Sequence, residues 1–397
     1  MSDWTIGILS VWKGIKLIGP ADVRNRVENA SVTVYFSLKY DHFPKKAIRH
    51  SVIAIEHIST MKEDPFAFPL PEEEFQTVLQ CQNLKVSADS ANWIDSFKLF
   101  SPARQLKFRL IDIGTLTALS YPLHSKEHLR IACDFMNLLF AVDDLSDVLD
   151  PHDARQLADA ALDVMLHPEK LSAESEHPVG HLHKDFWERL STIASKTCLD
   201  RFVKSYRIYM NAMVQEAKER NVHSVRTSVE EYLKLRRGTS AIQPSFDLLL
   251  LPLDIPRLYL ESSSIKKLEI IAIDLIAVAN DIVSFNVEQA RGDIHNFIVV
   301  LMNQHNLSIQ QAMDLAGNWY KTRARQFLDL HNFLLESHSD NDPGQANLKV
   351  YIRGIANWVT ANYEWSFESQ RFFGSLHREV YRSGVVDLLP RRVTAVV

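Results

Sequence analysis

From about residue 87 onward, apolar residues return every three or four positions in segment after segment, the period that gathers them on one face of an α-helix. Ser101-Pro102, a cap residue followed by proline, opens a helix expected to reach about residue 119. Further helices are expected over 126–148, from Pro151 behind Asp150, over 183–221, and from the capping box Ser228-Val-Glu-Glu231. Others are expected over 265–292, 308–337 and 347–373. Pro244 should kink the helix that carries Arg236 and Arg237. Residues 1–62 read differently. Between residues 30 and 40, Val32, Val34, Phe36 and Leu38 alternate at period two, a strand pattern with no clear second strand to pair it. Pro65, Pro69 and Pro71 mark a linker, which divides the chain into an arm over 1–65 and a helical unit over 66–390. About ten helices with no strand between them predict an all-α fold large enough to enclose a cavity.

Composition narrows the picture. The 397 residues include only 12 glycines, about 3% against a usual ~7%, which suits helices better than turn-rich β structure. A 46% apolar share is ample for a large core, and a formal charge of −5 gives no electrostatic case for binding nucleic acid. Cys81, Cys133 and Cys198 are odd in number and lack C-x-x-C spacing, as expected of reduced thiols in a cytoplasmic protein. Residues 5–19 are apolar-rich but broken by Lys13 and Lys16, with no cleavage site, and no stretch reaches the ~18 uninterrupted apolar residues of a membrane span. The expectation is a soluble chain without stable membrane insertion, as monomer or homodimer.

Within the segment 265–292, Asn280, Ser284 and Glu288 recur every four residues and fall within ~80° of arc on one helical face. Amide, hydroxyl and carboxylate oxygens suit a hard cation such as Mg²⁺; the short Ser284 lets an ion sit close to the helix while Asn280 and Glu288 lean in from either end. Such spacing usually marks a solvated stripe, but Ile271, Ile273, Leu275, Ile276, Val278, Ile282 and Val283 leave little of this helix to solvent. Asp143 and Asp147, one turn apart, repel each other. Either they are a solvated cluster beside the cap Asp150, or they hold divalent cations. Two acidic faces would form the rims of one cavity, joined by cations bridging a polyanion. Arg236, Arg237 and Arg371 are candidate donors to that polyanion, because guanidinium forks match phosphate oxygens.

Asp143-Asp144-x-x-Asp147, Arg237, Asn280-Asp-x-x-Ser284-x-x-x-Glu288 and Arg371, in that order, resemble the motif set of class I terpene synthases. The wording of 280–296 (NDIVSFNVEQARGDIHN), of Cys133-Asp-Phe-Met-Asn and of 357–374 (NWVTANYEWSFESQRFFG) resembles sesquiterpene synthases of basidiomycete fungi, leaning towards the protoilludene-type clade. The resemblance covers roughly residues 90–385. It implies a helical bundle around an apolar cavity, three Mg²⁺ ions with Mn²⁺ as a substitute, and farnesyl diphosphate as the substrate cyclised. By this analogy Asp143 binds two ions, Asp144 and Asp147 support closure with Asp147 in the metal set, and Asn280, Ser284 and Glu288 hold the third. Arg237, beside Arg236, resembles the diphosphate sensor, and Arg371 the arginine of an Arg-Tyr pair. Phe140, Trp358 and Trp365 are cation–π candidates, with ordinary core the commoner fate of such residues.

The chain departs from the family in several places. Phe372 stands where Tyr is usual, which removes a hydroxyl that would contact the diphosphate. Asp144 stands where many relatives have Glu, and Ala241 where Gly is common. Residues 1–62 resemble nothing in the family, so a gene-model artefact, a fused foreign segment and a genuine extension all stay open. Two other readings stand beside the synthase. One is a catalytically silent helical binding protein, suggested by Phe372 and the unusual arm. The other is a chain-elongating prenyltransferase, which should carry a second Asp-rich motif where this chain has Asn280, Ser284 and Glu288.

Overall fold

The computed structural model describes residues 83–167 and 178–391, apart from 225 and 227, together with strands β1 (Lys16–Ile18), β2 (Val32–Phe36) and β3 (Ser51–Ile55). The strand expected between residues 30 and 40 is therefore present, but it is not alone. β2 pairs in parallel with β3 and antiparallel with β4 (Val385–Asp387) from the far end of the chain. The sequence hid β4 because it is three residues long and lies at the far end of the chain. The proline-marked boundary near residue 65 lies outside the described residues.

The rest is helical. α1 (Asn83–Ser96), α2 (Pro102–Arg109) and α3 (Ile113–Ser120) lead to α4 (Lys126–Ser146). The single helix expected from 101 to 119 breaks at Asp112, which takes a left-handed conformation (φ 54°) and accepts from the Thr115 amide. After α5 (Pro151–Leu166), capped by Asp150, the expected 183–221 helix is also two: α6 (Pro178–Ile193) and α7 (Lys196–Asn221). Ser195 restarts the chain by capping the Cys198 amide at 3.2 Å.

α8 (Val229–Thr239) and α9 (Ile242–Leu248) meet at Ala241, again left-handed (φ 52°). Pro244 explains the break, although it lies three residues past it. Its ring would collide with the Ser240 carbonyl if the helix ran on, so the chain turns first and Pro244 sits in the first turn of α9. Gly238 lets α8 approach α7: a Cβ there would come within 2.6 Å of the Ala212 methyl.

α10 (Arg257–Leu260) precedes the central element, α11 (Ser263–Arg291), which Ser262 caps and Gly292 (φ 90°) ends. α11 meets the length and hydropathy of a bilayer span even though polar residues interrupt it. Here 83% of its apolar window is buried inside the bundle, as a helix apolar nearly all round requires. α12 (Phe297–His305), α13 (Ile309–Ser337) and α14 (Pro343–Glu368) follow, and α11 packs against α13 and α14. α14 stops five residues short of the expected end, so Arg371 and Phe372 lie in the turn before the 3₁₀ segment Gly374–Leu376 and α15 (His377–Ser383).

Candidate active site

α4, α7, α8, α11 and α14 supply most of the lining of a cavity of about 390 Å³. Along α4, Met136, Leu139 and Phe140 come before Asp143 and Asp147; along α11, Ile276 and Ala277 come before Asn280, Ser284 and Glu288. Arg291 at the end of α11 lies 3.7 Å from Asp147 at the end of α4. The two polar stretches therefore lie at the same end, and the apolar stretches lie below them with Leu116, Ile242 and Trp358.

The α11 wall is closely hydrogen-bonded. Asn280 Oδ1 accepts from Arg236 Nη2 at 3.0 Å, and Glu288 Oε2 accepts from Asn296 Nδ2 at 2.9 Å. Ser284, 4% exposed, lies between them. Asp281, 1% exposed, does not line the cavity. It accepts from Tyr232 Oη (2.5 Å), Arg236 Nε (2.9 Å) and the Phe297 amide (3.0 Å), tying α8 and α12 to α11. Asn296 also caps α12 by accepting from the Ile298 amide at 2.8 Å. Burial pushes the Glu288 carboxyl up to about 7, with the Asp281 charge adding to it.

The α4 wall is less tightly held. The Asp143 and Asp147 carboxylates open onto the cavity (48% and 43% accessible), facing Arg371 at 3.6 Å and Arg291 at 3.7 Å. Enclosure among helices still desolvates them. It raises Asp143 against the pull of Arg371, and it raises Asp147 to about 8 with help from Asp143. Asp144, expected to assist at the site, is not part of the lining; it turns to Arg104 of α2, 3.7 Å away. On a helix the next residue points ~100° round, so Asp143 and Asp144 cannot face one cavity equally.

The adjacent arginines part in the same way. Arg237, read from sequence as the diphosphate contact, lies outside the cavity, bound to both oxygens of buried Asp274 at 2.6 and 3.0 Å and sharing that carboxylate with Arg323. Arg236 is the one that reaches the cavity, and it does so between Asp281 and Asn280. Arg371 joins it from the turn after α14, its guanidinium 4.8 Å from the centre of the Phe140 ring and 5.8 Å from that of Phe372. Trp365 packs between Phe140 and Phe372, with ring centres 5.6 and 5.8 Å away, and its indole nitrogen donates to the Ile111 and Asp112 carbonyls at the α2–α3 break. Trp358 meets Tyr121 edge-on deeper in the cavity wall.

Several lining residues carried no motif. Tyr209, Glu216 and Arg220 lie on one face of α7, and His295 follows α11. Burial raises Glu216 to about 7, eased by Arg236. Arg220 donates to the Ser146 and Leu149 carbonyls at 2.9 and 3.1 Å, satisfying the open end of α4. The i, i+4 pair Glu216 and Arg220 has the spacing of an ordinary surface pair, so sequence offered no way to single it out.

The donor chemistry fits a hard divalent cation. Oxygen donors occupy both walls, and carboxyls raised by burial and mutual repulsion lack the positive charge that would keep them ionised. Among the described residues no three His, Cys, Asp or Glu side chains converge on one point. A cage closed by protein alone is not what is built. The arrangement suits a cation that keeps part of its shell for waters and substrate phosphate.

Residues 134–326 match the family model described as terpene synthase family 2, C-terminal metal binding. A delta(6)-protoilludene synthase of Stereum hirsutum is 37% identical over 303 residues, 76% of this chain and 81% of that protein. A delta(6)-protoilludene synthase of Armillaria gallica is 34% identical over 78% of this chain and 89% of its own length. Sesquiterpene synthase 9 of Postia placenta is 34% identical over the same shares. Among solved structures, α-eudesmol synthase superposes with a TM-score of 0.67 at 23% identity, covering 78% of this chain and all of the other. Germacradien-4-ol synthase from Streptomyces citricolor gives 0.61 at 22%, covering 71% and 95%. At those identities the two structures speak to the fold alone, which is all-α.

Proposed function

The chain belongs to the terpene synthase family, and on that premise we propose that it is a sesquiterpene cyclase that ionises farnesyl diphosphate and cyclises the resulting carbocation. One observation carries the reading: acidic α4 and oxygen-bearing α11 face each other at one end of a cavity whose other end is aliphatic and aromatic. That matches a substrate with an anionic head and a fifteen-carbon apolar tail.

The family's metal-binding region uses divalent metal. Mg²⁺, as three ions with Mn²⁺ able to substitute, is our reading, held by Asp143 and Asp147 on one side and by Asn280, Ser284 and Glu288 on the other. Bound there, the metal neutralises charge that builds on the diphosphate as its bond to carbon breaks. Arg236 and Arg371 orient the same group through guanidinium hydrogen bonds and add positive charge in a desolvated site. Phe140, Trp358, Trp365 and Phe372 line the path of the tail, exclude water and offer ring faces to a cation. Arg237 and Asp144 act from outside the cavity.

The product is a sesquiterpene hydrocarbon or alcohol, and delta(6)-protoilludene is the first to look for because relatives carry that name. Buried free Cys133 and Cys198 accord with a soluble, cytoplasmic enzyme without stable membrane insertion, which cell fractionation would check. It acts as monomer or homodimer, to be read by light scattering. The decisive assay incubates purified protein with farnesyl diphosphate and Mg²⁺ and analyses the headspace by mass spectrometry. A sesquiterpene that vanishes with EDTA is expected. Folded protein that binds diphosphate yet yields no terpenoid would overturn the enzyme reading in favour of a silent binder.

A further inference from the structure

Most polar side chains around the cavity have partners in the protein: Tyr232 donates to Asp281, Asn280 accepts from Arg236, and Glu288 accepts from Asn296. Tyr209 does not. It lines the cavity, it is 3% exposed, and its buried hydroxyl has no hydrogen-bond partner among the described residues. Leaving a buried hydroxyl unpaired is costly, and proteins rarely do so without a reason.

The position of Tyr209 along the cavity suggests one. Arg220 on α7 is level with the end of α4, because it bonds the Ser146 and Leu149 carbonyls. Tyr209, three turns earlier, is ~16 Å deeper on α7. The same depth below Ser146 on α4 falls beside Met136, in the apolar stretch, while Asp143, about 10 Å nearer the rim, is the charge that bears most on the hydroxyl. The hydroxyl therefore lies on the apolar side of the seam between the two ends. Its ring has a fixed neighbour, Tyr206, 5.6 Å away, which is itself bonded to His183 at 2.7 Å. The charged groups that bear on it are Asp143, Glu216 and Asp147, none of which accepts from it. Burial and these carboxylates push the phenol well above its ordinary value, so it stays a donor.

We propose that Tyr209 donates a hydrogen bond to the substrate diphosphate on its inner side, next to the carbon–oxygen bond that breaks. The electron pair of that bond leaves on the diphosphate oxygen; Tyr209 keeps its proton and stabilises the charge by sharing it. Tyr209 then joins Arg236 and Arg371 as a third protein donor, reaching from below where they reach from the rim. This rests on the diphosphate reading of the site.

Inorganic diphosphate, the departed leaving group, is the probe, titrated by calorimetry in the presence of Mg²⁺. Tyr209→Phe should bind it roughly 10- to 100-fold more weakly, the worth of a hydrogen bond to a charged acceptor, with a melting temperature equal to or above that of the parent. Binding within twofold of the parent overturns the proposal. Should the variant fail to fold, 3-fluorotyrosine at position 209 answers instead: its fluorine resonance must shift when Mg²⁺ and diphosphate are added together, and an unmoved signal overturns the idea. A parent that makes no terpenoid while Tyr209→Phe loses diphosphate affinity would sink the cyclase and leave this contact standing.

Discussion

On the α11 wall of the cavity, Asn280 is held by half-buried Arg236 and Glu288 by buried Asn296 at 2.9–3.0 Å, whereas on the α4 wall Asp143 and Asp147 are met only by arginines at 3.6 and 3.7 Å. The first wall is set by the fold; the second lacks such close ties. A site split in this way has its reference geometry on one side and its adjustment on the other. It follows that α11 should tolerate almost no change, and that α4 should respond to conditions.

The heaviest blow to the fixed wall is the loss of a donor. Glu288→Gln or Asn280→Ala should lower turnover of farnesyl diphosphate by about 100-fold or more with the melting temperature little changed; near-normal steady-state rates would undo the metal-site assignment. Removing a holder comes next. Asn296→Ala frees Glu288 and should cost roughly 10- to 100-fold in apparent Mg²⁺ affinity, measured as the metal concentration for half-maximal rate.

Paired substitutions separate cavity residues from their neighbours. Arg236→Met should weaken diphosphate binding by about tenfold or more, while Arg237→Met should leave it within a few-fold and instead destabilise the fold by about 1–3 kcal/mol in urea unfolding, since Asp274 keeps Arg323. Equal losses of affinity from both would refute the separation. Asp143→Asn should likewise hurt activity far more than Asp144→Asn.

The smallest effect is a pH dependence shared by carboxyls on both walls and on α7. Asp147, Glu216 and Glu288, raised to about 8, 7 and 7, hold protons in the folded state at pH values where the unfolded chain has lost them. Without metal, these groups weaken the fold as pH rises from about 4 towards 8. Divalent metal needs the deprotonated forms, so the rise in melting temperature on adding Mg²⁺ should be larger at pH 8 than at pH 6. A metal effect independent of pH would count against charge repulsion as its source.

Much of the architecture was legible because periodicity and caps are local. Ser228, Ser308 and Asp150 start helices, and Gly292 ends one, where the sequence says they should. The kink expected from Pro244 came three residues earlier than the proline, and the other breaks and ends that differ have non-local or conformational causes. Asp112 and Ala241 adopt left-handed backbone without glycine, Ser195 divides one continuous apolar pattern, and α14 ends early. In the site, spacing sufficed to gather Asp143, Asp147, Asn280, Ser284 and Glu288 around one cavity. It could not say which of Arg236 and Arg237 turns inward, because that depends on Asp274 and Asp281 two turns apart on another helix. Asp281 was visible in the motif but not its work, which is to hold Arg236, Tyr232 and α12. Tyr209 gave no signal at all, since an unpaired hydroxyl is a property of its surroundings.

The apolar end of the cavity is shared among many helices, with Leu116 on α3, Met136 on α4, Ile242 on α9 and Trp358 on α14, whereas the proposed metal donors are confined to α4 and α11. A change at Leu116, Ile242 or Trp358 alters the mould in which the chain of carbons folds while leaving the triggering apparatus untouched. For directed evolution, this means that product spectra can be explored by recombining a handful of such positions, with the first chemical step carried along intact.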